Sequence, residues 1–111
     1  MEFDEYQKKT KETAIYPRDN PIVALSYATL GLAGEAGEIA NKVKKIIRDN
    51  KGEISQEIKD KLSDELGDVL WYLSALATEL DTKLSLVADK NIQKLFSRKE
   101  RGVLKGSGDN R

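Results

Sequence analysis

The chain has 111 residues, in which 19 lysine and arginine side chains balance 19 aspartate and glutamate side chains. This length suits one small domain, and a formal net charge of zero provides no global field to attract nucleic acid or an anionic membrane. Cysteine and histidine are both absent, which excludes disulfides, zinc fingers, iron–sulfur clusters and histidine-based metal sites. Any metal site must use oxygen ligands, which favours Mg²⁺ or Mn²⁺.

Neither a membrane span nor a secretion signal is expected. No apolar run approaches the roughly 18 residues that a span requires. The first residues, Met1 to Glu5, are acidic, whereas a signal peptide begins with basic residues. We therefore expect a cytoplasmic protein that contacts no membrane and no nucleic acid polymer.

The balanced charge hides an asymmetry along the chain. Residues 1–89 contain 12 basic and 17 acidic side chains, whereas residues 90–111 contain 7 basic and 2 acidic ones. The two parts therefore have net charges of −5 and +5. Two interpretations are open: a solvated helix end with a loose tail, or an anion-binding arm that closes on an acidic, metal-holding body.

The pattern of apolar residues predicts four helices and no strand. Asn20 followed by Pro21 is a typical helix start, because a side-chain cap precedes proline at the first helical position. Gly52 is suited to end that helix, and Ser55 can cap the next one. The predicted helices cover about residues 2–14, 21–49, 55–80 and 85–99.

Four helices with short connections predict an all-α, four-helix bundle-type fold. A chain of this length has a small core, so we expect oligomerisation to complete the fold. The predicted domain covers residues 1–100, and residues 101–111 form a basic, glycine-containing C-terminal tail.

Two pairs of carboxylates occupy corresponding places on the second and third helices. Glu35 and Glu38 form one pair, and Glu65 and Asp68 form the other, each with the three-residue spacing that puts both side chains on one side of a helix. Viewed down each helix, the first carboxylate of the pair lies about 60° from the apolar axis and the second about 120°, with the same sense of rotation in both helices. A simple hairpin turning near Gly52 therefore brings all four carboxylates together.

The predicted apolar axes rest on two sets of residues. The set on the second helix is Leu25, Ala28, Leu32, Ile39, Val43 and Ile46, and the set on the third is Leu62, Leu66, Val69, Leu73, Leu76 and Leu80.

Four carboxylates that converge at the edge of a core repel one another. A divalent cation relieves this repulsion, and Mg²⁺ commonly binds carboxylates together with waters and substrate phosphates. The alternative is that lysines neutralise the cluster, since Lys42 lies one turn after Glu38 and Lys61 one turn before Glu65.

At these residues the chain resembles the MazG-like all-α nucleoside triphosphate pyrophosphohydrolases, a superfamily that also includes dimeric dUTPases, dCTP pyrophosphatases and phosphoribosyl-ATP pyrophosphatases. The family pattern is E-x-x-E on one helix and E-x-x-D on the next. The stretch from Leu30 to Glu38 is similar to the family's core, and the resemblance covers essentially residues 3–105. One departure is Gly34, where many members have a further glutamate. The stretch GEAGE at 34–38 resembles the MazG and dCTP pyrophosphatase branches more than the phosphoribosyl-ATP pyrophosphatases.

The resemblance implies Mg²⁺-dependent hydrolysis between the α and β phosphates of a nucleotide, giving a monophosphate and pyrophosphate. Glu35, Glu38, Glu65 and Asp68 are then the metal ligands, with Mn²⁺ as a possible substitute. Without histidine, the general base must be a carboxylate or a metal-bound hydroxide, and Glu38 and Glu35 are the candidates. Members of this length are usually dimers or tetramers.

Further residues are candidates for substrate binding. Tyr72 lies one turn after Asp68 on the same flank, and the alternative is an ordinary aromatic at a helix edge. Trp71 points away from the predicted apolar axis, so we expect it to be exposed and to contact either a second subunit or the nucleotide base. The remaining candidates are Asn91 and Lys94 by family resemblance, Arg98 and Arg101 in the basic end, and Gln7, whose amide could read a base edge.

Two functions of different classes follow. The first is the nucleotide pyrophosphohydrolase. The second is a non-catalytic helical oligomer that binds nucleotide or a protein partner and whose carboxylates are merely paired with lysines. Substitution of Glu38 or Asp68 separates them, because only the enzyme loses metal-dependent turnover.

Overall fold

The computed structural model describes residues 1–111 and contains helices without any β-strand. The helices are α1 (Phe3–Thr10), a 3₁₀ helix (Lys11–Thr13), α2 (Pro21–Asp49), α3 (Gln56–Glu79) and α4 (Leu84–Glu100). The predicted all-α class and its four helices are confirmed. The one difference in the first helix is its last turn, which tightens from α to 3₁₀ geometry.

The ends of α2 and the start of α3 have local causes. The Asn20 side chain accepts a hydrogen bond from the Val23 N–H at 3.0 Å, and the Ser55 hydroxyl accepts one from the Ile58 N–H at 3.2 Å. Gly52 has φ of +77°, and its N–H donates to the Ile46 carbonyl at 3.2 Å. This left-handed residue satisfies a carbonyl at the end of α2 and turns the chain towards α3.

α2 and α3 form an antiparallel hairpin on which α1 packs. Its centre is built from small residues, Ala24 and Ala28 of α2 and Ala75 of α3, together with the Tyr16 ring from the segment before α2. Small side chains allow the helix backbones to approach closely. The hairpin therefore brings residues of α2 and α3 that are equally far from the connecting turn into contact. The predicted meeting of the two acidic motifs requires this register.

The inward face of α3 differs from the predicted apolar axis. Leu66, Leu73 and Leu80 are 58%, 41% and 58% exposed, whereas the small residues Ser74 and Ala75 are buried. Half of the predicted axis is therefore uncovered by this chain, whereas Leu62, Val69 and Leu76 are half-buried and Leu76 packs against the buried cluster.

Trp71 is consequently half-buried rather than exposed, so this prediction was wrong. Its ring packs against the buried cluster of Tyr16 and the alanines, and its Nε1–H donates to the Thr13 hydroxyl at 2.8 Å. The residue lies opposite the leucines, but that side of α3 faces the rest of the chain.

The Tyr16 hydroxyl ties the segment before α2 to the end of α3. It donates a 2.7 Å hydrogen bond to Glu79, whose carboxylate also accepts from Arg18 at 2.9 Å. Burial and the Glu79 carboxylate raise the pKa of Tyr16 to about 12. Tyr16 also stacks on Tyr27 with ring centroids 5.0 Å apart. These contacts fix the aromatic residues beside the hairpin.

The buried amide of Gln7 connects α1 to the turn between α3 and α4. Its Nε2 donates to the Thr82 carbonyl at 2.9 Å and to the Thr78 hydroxyl at 3.2 Å, and its Oε1 accepts from the Leu84 N–H at 2.8 Å. The structure thus places Gln7 in a structural role, with its amide committed to this turn and not directed at the carboxylates.

We expect Gln7→Leu to lower the free energy of unfolding by about 2–3 kcal/mol, because it leaves a buried N–H and a carbonyl without partners. Urea denaturation followed by circular dichroism measures the change. The matched control is Gln56→Leu at the exposed start of α3, where we expect a change within about 0.5 kcal/mol. Equal effects of the two substitutions would contradict this role of Gln7.

α4 packs against α1 and α3 but leaves much apolar surface uncovered. The radius of gyration is 17.1 Å, whereas a compact domain of this length has about 13 Å. Ile92 and Phe96 of α4 are 51% and 56% exposed. No helix combines the length and the apolar character that crossing a bilayer requires.

Candidate active site

Three carboxylates from the two acidic motifs meet beside the α2–α3 hairpin. Glu35 lies on α2, and Glu65 and Asp68 lie one turn apart on α3; one oxygen of each lies within 4.8 Å of the others. The three-residue spacing puts Glu65 and Asp68 on one side of α3, and the hairpin brings Glu35 opposite them. We refer to these three residues as the carboxylate cluster.

Glu38 is the fourth residue of the predicted set, and it is exposed and lies outside this group. It is near enough for its charge to raise the pKa of Glu35. Lys42, one turn further along α2, lies 3.5 Å from the Glu65 carboxylate across the hairpin. Lys61 pairs instead with Glu57, at 3.1 Å, so only one of the two lysines considered above contacts the cluster.

The cluster concentrates negative charge. Partial burial raises the pKa of Glu35, and the charges of Asp68, Glu65 and Glu38 raise it further. The folded state therefore favours the protonated form of Glu35 more than the unfolded state does. In the absence of a cation, this carboxyl contributes stability below its usual pKa of 4.5, and that contribution is lost as the pH rises through its higher folded-state value.

We therefore expect Glu35→Gln to raise the melting temperature of the metal-free protein at pH 7, because the amide removes a repelled charge. The gain should be much smaller near pH 4, below the usual pKa of 4.5, because Glu35 is then mostly protonated in both states. Thermal unfolding in EDTA at the two pH values measures the difference, with Glu53→Gln as the control at an exposed position. A lower melting temperature for Glu35→Gln at pH 7 would contradict the repulsion.

A cavity of about 340 Å³ opens directly on the cluster. Its lining residues are Glu35 and Asp68 of the cluster together with Thr13, Trp71 and Tyr72. Trp71 meets Tyr72 edge to face, with ring centroids 5.0 Å apart. The carboxylates thus have an aromatic wall beside them, which suits a ligand with both a polyanionic part and a flat or apolar part.

The tyrosines near the cluster respond to its charge. Burial raises the pKa of Tyr72, and Tyr27 and the carboxylates of Glu35 and Asp68 add to the shift. Burial likewise raises the pKa of Tyr6, with a further contribution from Asp68. Both phenols therefore remain protonated at neutral pH and are able to donate a hydrogen bond.

Several predicted residues lie elsewhere. Asn91 and Lys94 are exposed on α4, and their side chains make no hydrogen bond or ion pair within the chain. Arg98 and Arg101 contact the residues that follow α4. Sequence reasoning missed Thr13, which no motif distinguishes; it lines the cavity because Trp71 donates to it.

Comparison with known proteins agrees with this arrangement. The family model of the MazG nucleotide pyrophosphohydrolase domain matches residues 25–103, which include the whole carboxylate cluster. The chain is also 58% identical over 114 residues to the Gene 37 protein of Mycobacterium phage L5, a match that covers all of both chains. No solved structure matches. The family match spans most of the chain and both acidic motifs, and the chain therefore belongs to the MazG nucleotide pyrophosphohydrolase family.

Proposed function

We propose that this protein hydrolyses nucleoside or deoxynucleoside triphosphates between the α and β phosphates, releasing a nucleoside monophosphate and pyrophosphate. The observation that carries the proposal is the carboxylate cluster with oxygens from both acidic motifs within 4.8 Å. Family membership supports the reaction class, and the adjoining cavity of about 340 Å³ supports a small-molecule substrate.

The donor set of the cluster fits a divalent cation. Carboxylate oxygens are the ligands that Mg²⁺ and Mn²⁺ prefer. Partial burial raises the pKa of Glu35, and repulsion by the neighbouring carboxylates, which a cation would offset, raises it further. We propose that Glu35, Glu65 and Asp68 hold Mg²⁺, with Mn²⁺ as a possible substitute. When bound, the ion would neutralise phosphate oxygens and favour attack by water.

Glu38 is the better candidate for the general base. It lies outside the three proposed ligands, so its carboxylate is available to accept a proton from the attacking water. Its exposure gives water direct access. Glu35 remains the second candidate, since its pKa is shifted upwards towards neutral pH, but metal binding would oppose protonation there.

Tyr72 and Trp71, which line the cavity beside the carboxylate cluster, would orient the substrate. We propose that the Tyr72 hydroxyl donates to a phosphate oxygen, because it is protonated and lies on the same cavity as Glu35 and Asp68. Trp71 then borders the sugar or base. Asn91 and Lys94 lie on an exposed face of α4, so we propose that they reach a substrate only within an oligomer.

We further propose that a second copy of the chain covers the exposed leucine face of α3, giving a dimer or a tetramer. Leu66, Leu73 and Leu80 are spaced by seven residues and all exposed, as at a helix-packing interface. Light scattering should give a multiple of the 12.4 kDa chain mass, and Leu73→Glu should lower it. A monomeric wild-type protein would contradict this proposal.

The second candidate function is a non-catalytic helical oligomer. The contact of Lys42 with Glu65 at 3.5 Å favours it, because a lysine already offsets part of the cluster charge. One lysine beside three carboxylates nevertheless leaves a net negative site, which supports metal binding over simple pairing.

A pyrophosphate-release screen tests the proposed function. The common ribonucleoside and deoxyribonucleoside triphosphates are incubated with the protein and Mg²⁺, then with Mn²⁺, beside a Glu38→Gln variant. The expected result is pyrophosphate release by the wild type and none by the variant. The nucleotide that gives the fastest release identifies the preferred nucleobase. No release from any nucleotide with either ion would favour the binding protein.

A further inference from the structure

Three side-chain hydrogen bonds join the first helical segment to α3, about one for each turn. The pairs are Gln7 with Thr78 at 3.2 Å, Thr10 with Ser74 at 2.9 Å and Thr13 with Trp71 at 2.8 Å. The contacts advance along α1 and its 3₁₀ turn while they go back along α3. The two segments therefore run antiparallel and are connected over their whole shared length.

Only the last of these contacts reaches the candidate active site. Thr13 and Trp71 both line the cavity of about 340 Å³ that opens on the carboxylate cluster. Thr10 and Ser74 are buried and line no part of that cavity. The bond between Thr13 and Trp71 therefore holds a ring that a ligand in the cavity would contact.

The Thr13 hydroxyl is available to Trp71 as an acceptor only. Its single proton is donated to the Thr10 carbonyl at 3.1 Å, which leaves the oxygen lone pairs. The indole Nε1–H can only donate, so the two groups match. Neither keeps a donor for a ligand, and Thr13 must therefore act on a ligand through the Trp71 ring.

The aromatic neighbours of Trp71 restrict its ring less than this hydrogen bond does. The ring meets Tyr72 and Tyr16 edge to face, with centroids 5.0 and 6.3 Å apart. Such pairs occur over centroid distances of about 4.5–7 Å, whereas an N–H···O hydrogen bond weakens steeply when it bends. The bond to Thr13 therefore selects one orientation among those that the packing allows.

We propose that Thr13 is a positioning residue of the active site, whose hydroxyl holds the Trp71 ring against the nucleoside part of the substrate. This inference rests on the proposed function, because it gives the phosphates to the carboxylate cluster and the nucleoside to the aromatic residues. A ring without its hydrogen bond has to be ordered by each substrate that binds, which lowers affinity. The carboxylates stay in place, so Thr13 acts on binding more than on turnover.

The test uses the fluorescence of Trp71, which is the only tryptophan of the chain. The α,β-methylene analogues of ATP and CTP are titrated into the protein with Mg²⁺, and we expect a saturable change in fluorescence. Thr13→Val should raise the Kd by about threefold to tenfold, as the loss of one neutral hydrogen bond implies. Thr13→Ser keeps the hydroxyl and should bind as the wild type does.

The matched control is Thr29→Val. Thr29 is exposed on α2, and its hydroxyl donates to the Leu25 carbonyl at 2.8 Å without lining the cavity. The substitution therefore removes a comparable hydroxyl, and it should leave the Kd unchanged.

Two further measurements separate positioning from a merely structural role. The single indole N–H signal in NMR should exchange with water faster in Thr13→Val than in the wild type or Thr13→Ser. In turnover, Thr13→Val should raise KM by the same factor as the Kd and leave kcat within about twofold, because uniform binding is lost. Circular dichroism melts confirm that the variants fold.

The outcomes distinguish this inference from the proposed function. A wild-type Kd in Thr13→Val, or equally weak binding by Thr13→Ser, would overturn the role of Thr13 while pyrophosphate release persists. The absence of any fluorescence change with both analogues would overturn it as well. If the wild type released no pyrophosphate but bound the analogues with the same dependence on Thr13, the hydrolysis would be wrong and the positioning role would stand.

Discussion

Replacing Glu65 by glutamine or Asp68 by asparagine is expected to reduce nucleotide hydrolysis by about 10³-fold or more. Each substitution removes a proposed ligand of the metal ion, which would stabilise the phosphate charge of the transition state by several kcal/mol. Both side chains belong to the carboxylate cluster, where their oxygens lie within 4.8 Å of Glu35. The amides are nearly isosteric with the acids, so the helices should be retained. Pyrophosphate release and Mg²⁺-dependent thermal stabilisation are the two measurements.

The matched control is Asp64→Asn. Asp64 immediately precedes Glu65 on α3, but it is exposed and lies outside the cluster. We expect it to retain wild-type turnover and the same stabilisation by Mg²⁺. Full activity in Asp68→Asn with an intact fold would show that the cluster is not the catalytic site, whereas equal losses in Asp64→Asn would point to a general effect of charge.

Glu38→Gln separates two roles in the same reaction. A ligand and a general base both reduce turnover when changed to an amide, but only a ligand weakens Mg²⁺ binding. Because Glu38 lies outside the cluster, we expect Glu38→Gln to lower turnover while Mg²⁺ still raises the melting temperature. Loss of both would place Glu38 among the ligands.

The meeting of the two acidic motifs was predictable because it depends on helix periodicity and one turn. The three-residue spacing fixes the side of each helix, and the Gly52 turn fixes the register. The starts of α2 and α3 followed from their caps, and the side chains of Asn20 and Ser55 accept the expected hydrogen bonds. Caps, spacing and the turn each depend on residues close together in the chain, so the sequence alone was enough to predict them.

The orientation of α3 was not predictable from its apolar residues. A leucine stripe is buried only where something in the same chain covers it. Here Leu76 packs against the core, but Leu66, Leu73 and Leu80 stay exposed, and Ser74 and Ala75 are the buried residues of α3. The roles of Gln7 and Thr13 depend likewise on contacts with residues 58 or more positions away. Such contacts are set by packing, which periodicity along one helix does not specify.

Gly31→Ala is expected to lower the free energy of unfolding by about 1–3 kcal/mol, because its methyl group would overlap the Tyr72 ring. Gly31 lies on α2 where that ring crosses the hairpin, so the ring would have to move away from the helix. Tyr72 lines the cavity beside Glu35 and Asp68. Misplacement of a substrate-positioning group by an ångström lowers kcat/KM by about 100-fold, which is the loss we expect at most.

Gly34→Ala, one turn further along the same helix, is the control, and we expect it to change the free energy of unfolding in the opposite direction. A methyl group there meets no atom within 4 Å, and alanine is favoured over glycine in a helix by up to about 1 kcal/mol. We therefore expect Gly34→Ala to stabilise the chain. The same open space surrounds Gly37, so of these three glycines only Gly31 is closely approached within the chain. If Gly31→Ala proved as stable and as active as Gly34→Ala, the Tyr72 ring would not be held against α2 as the structure places it.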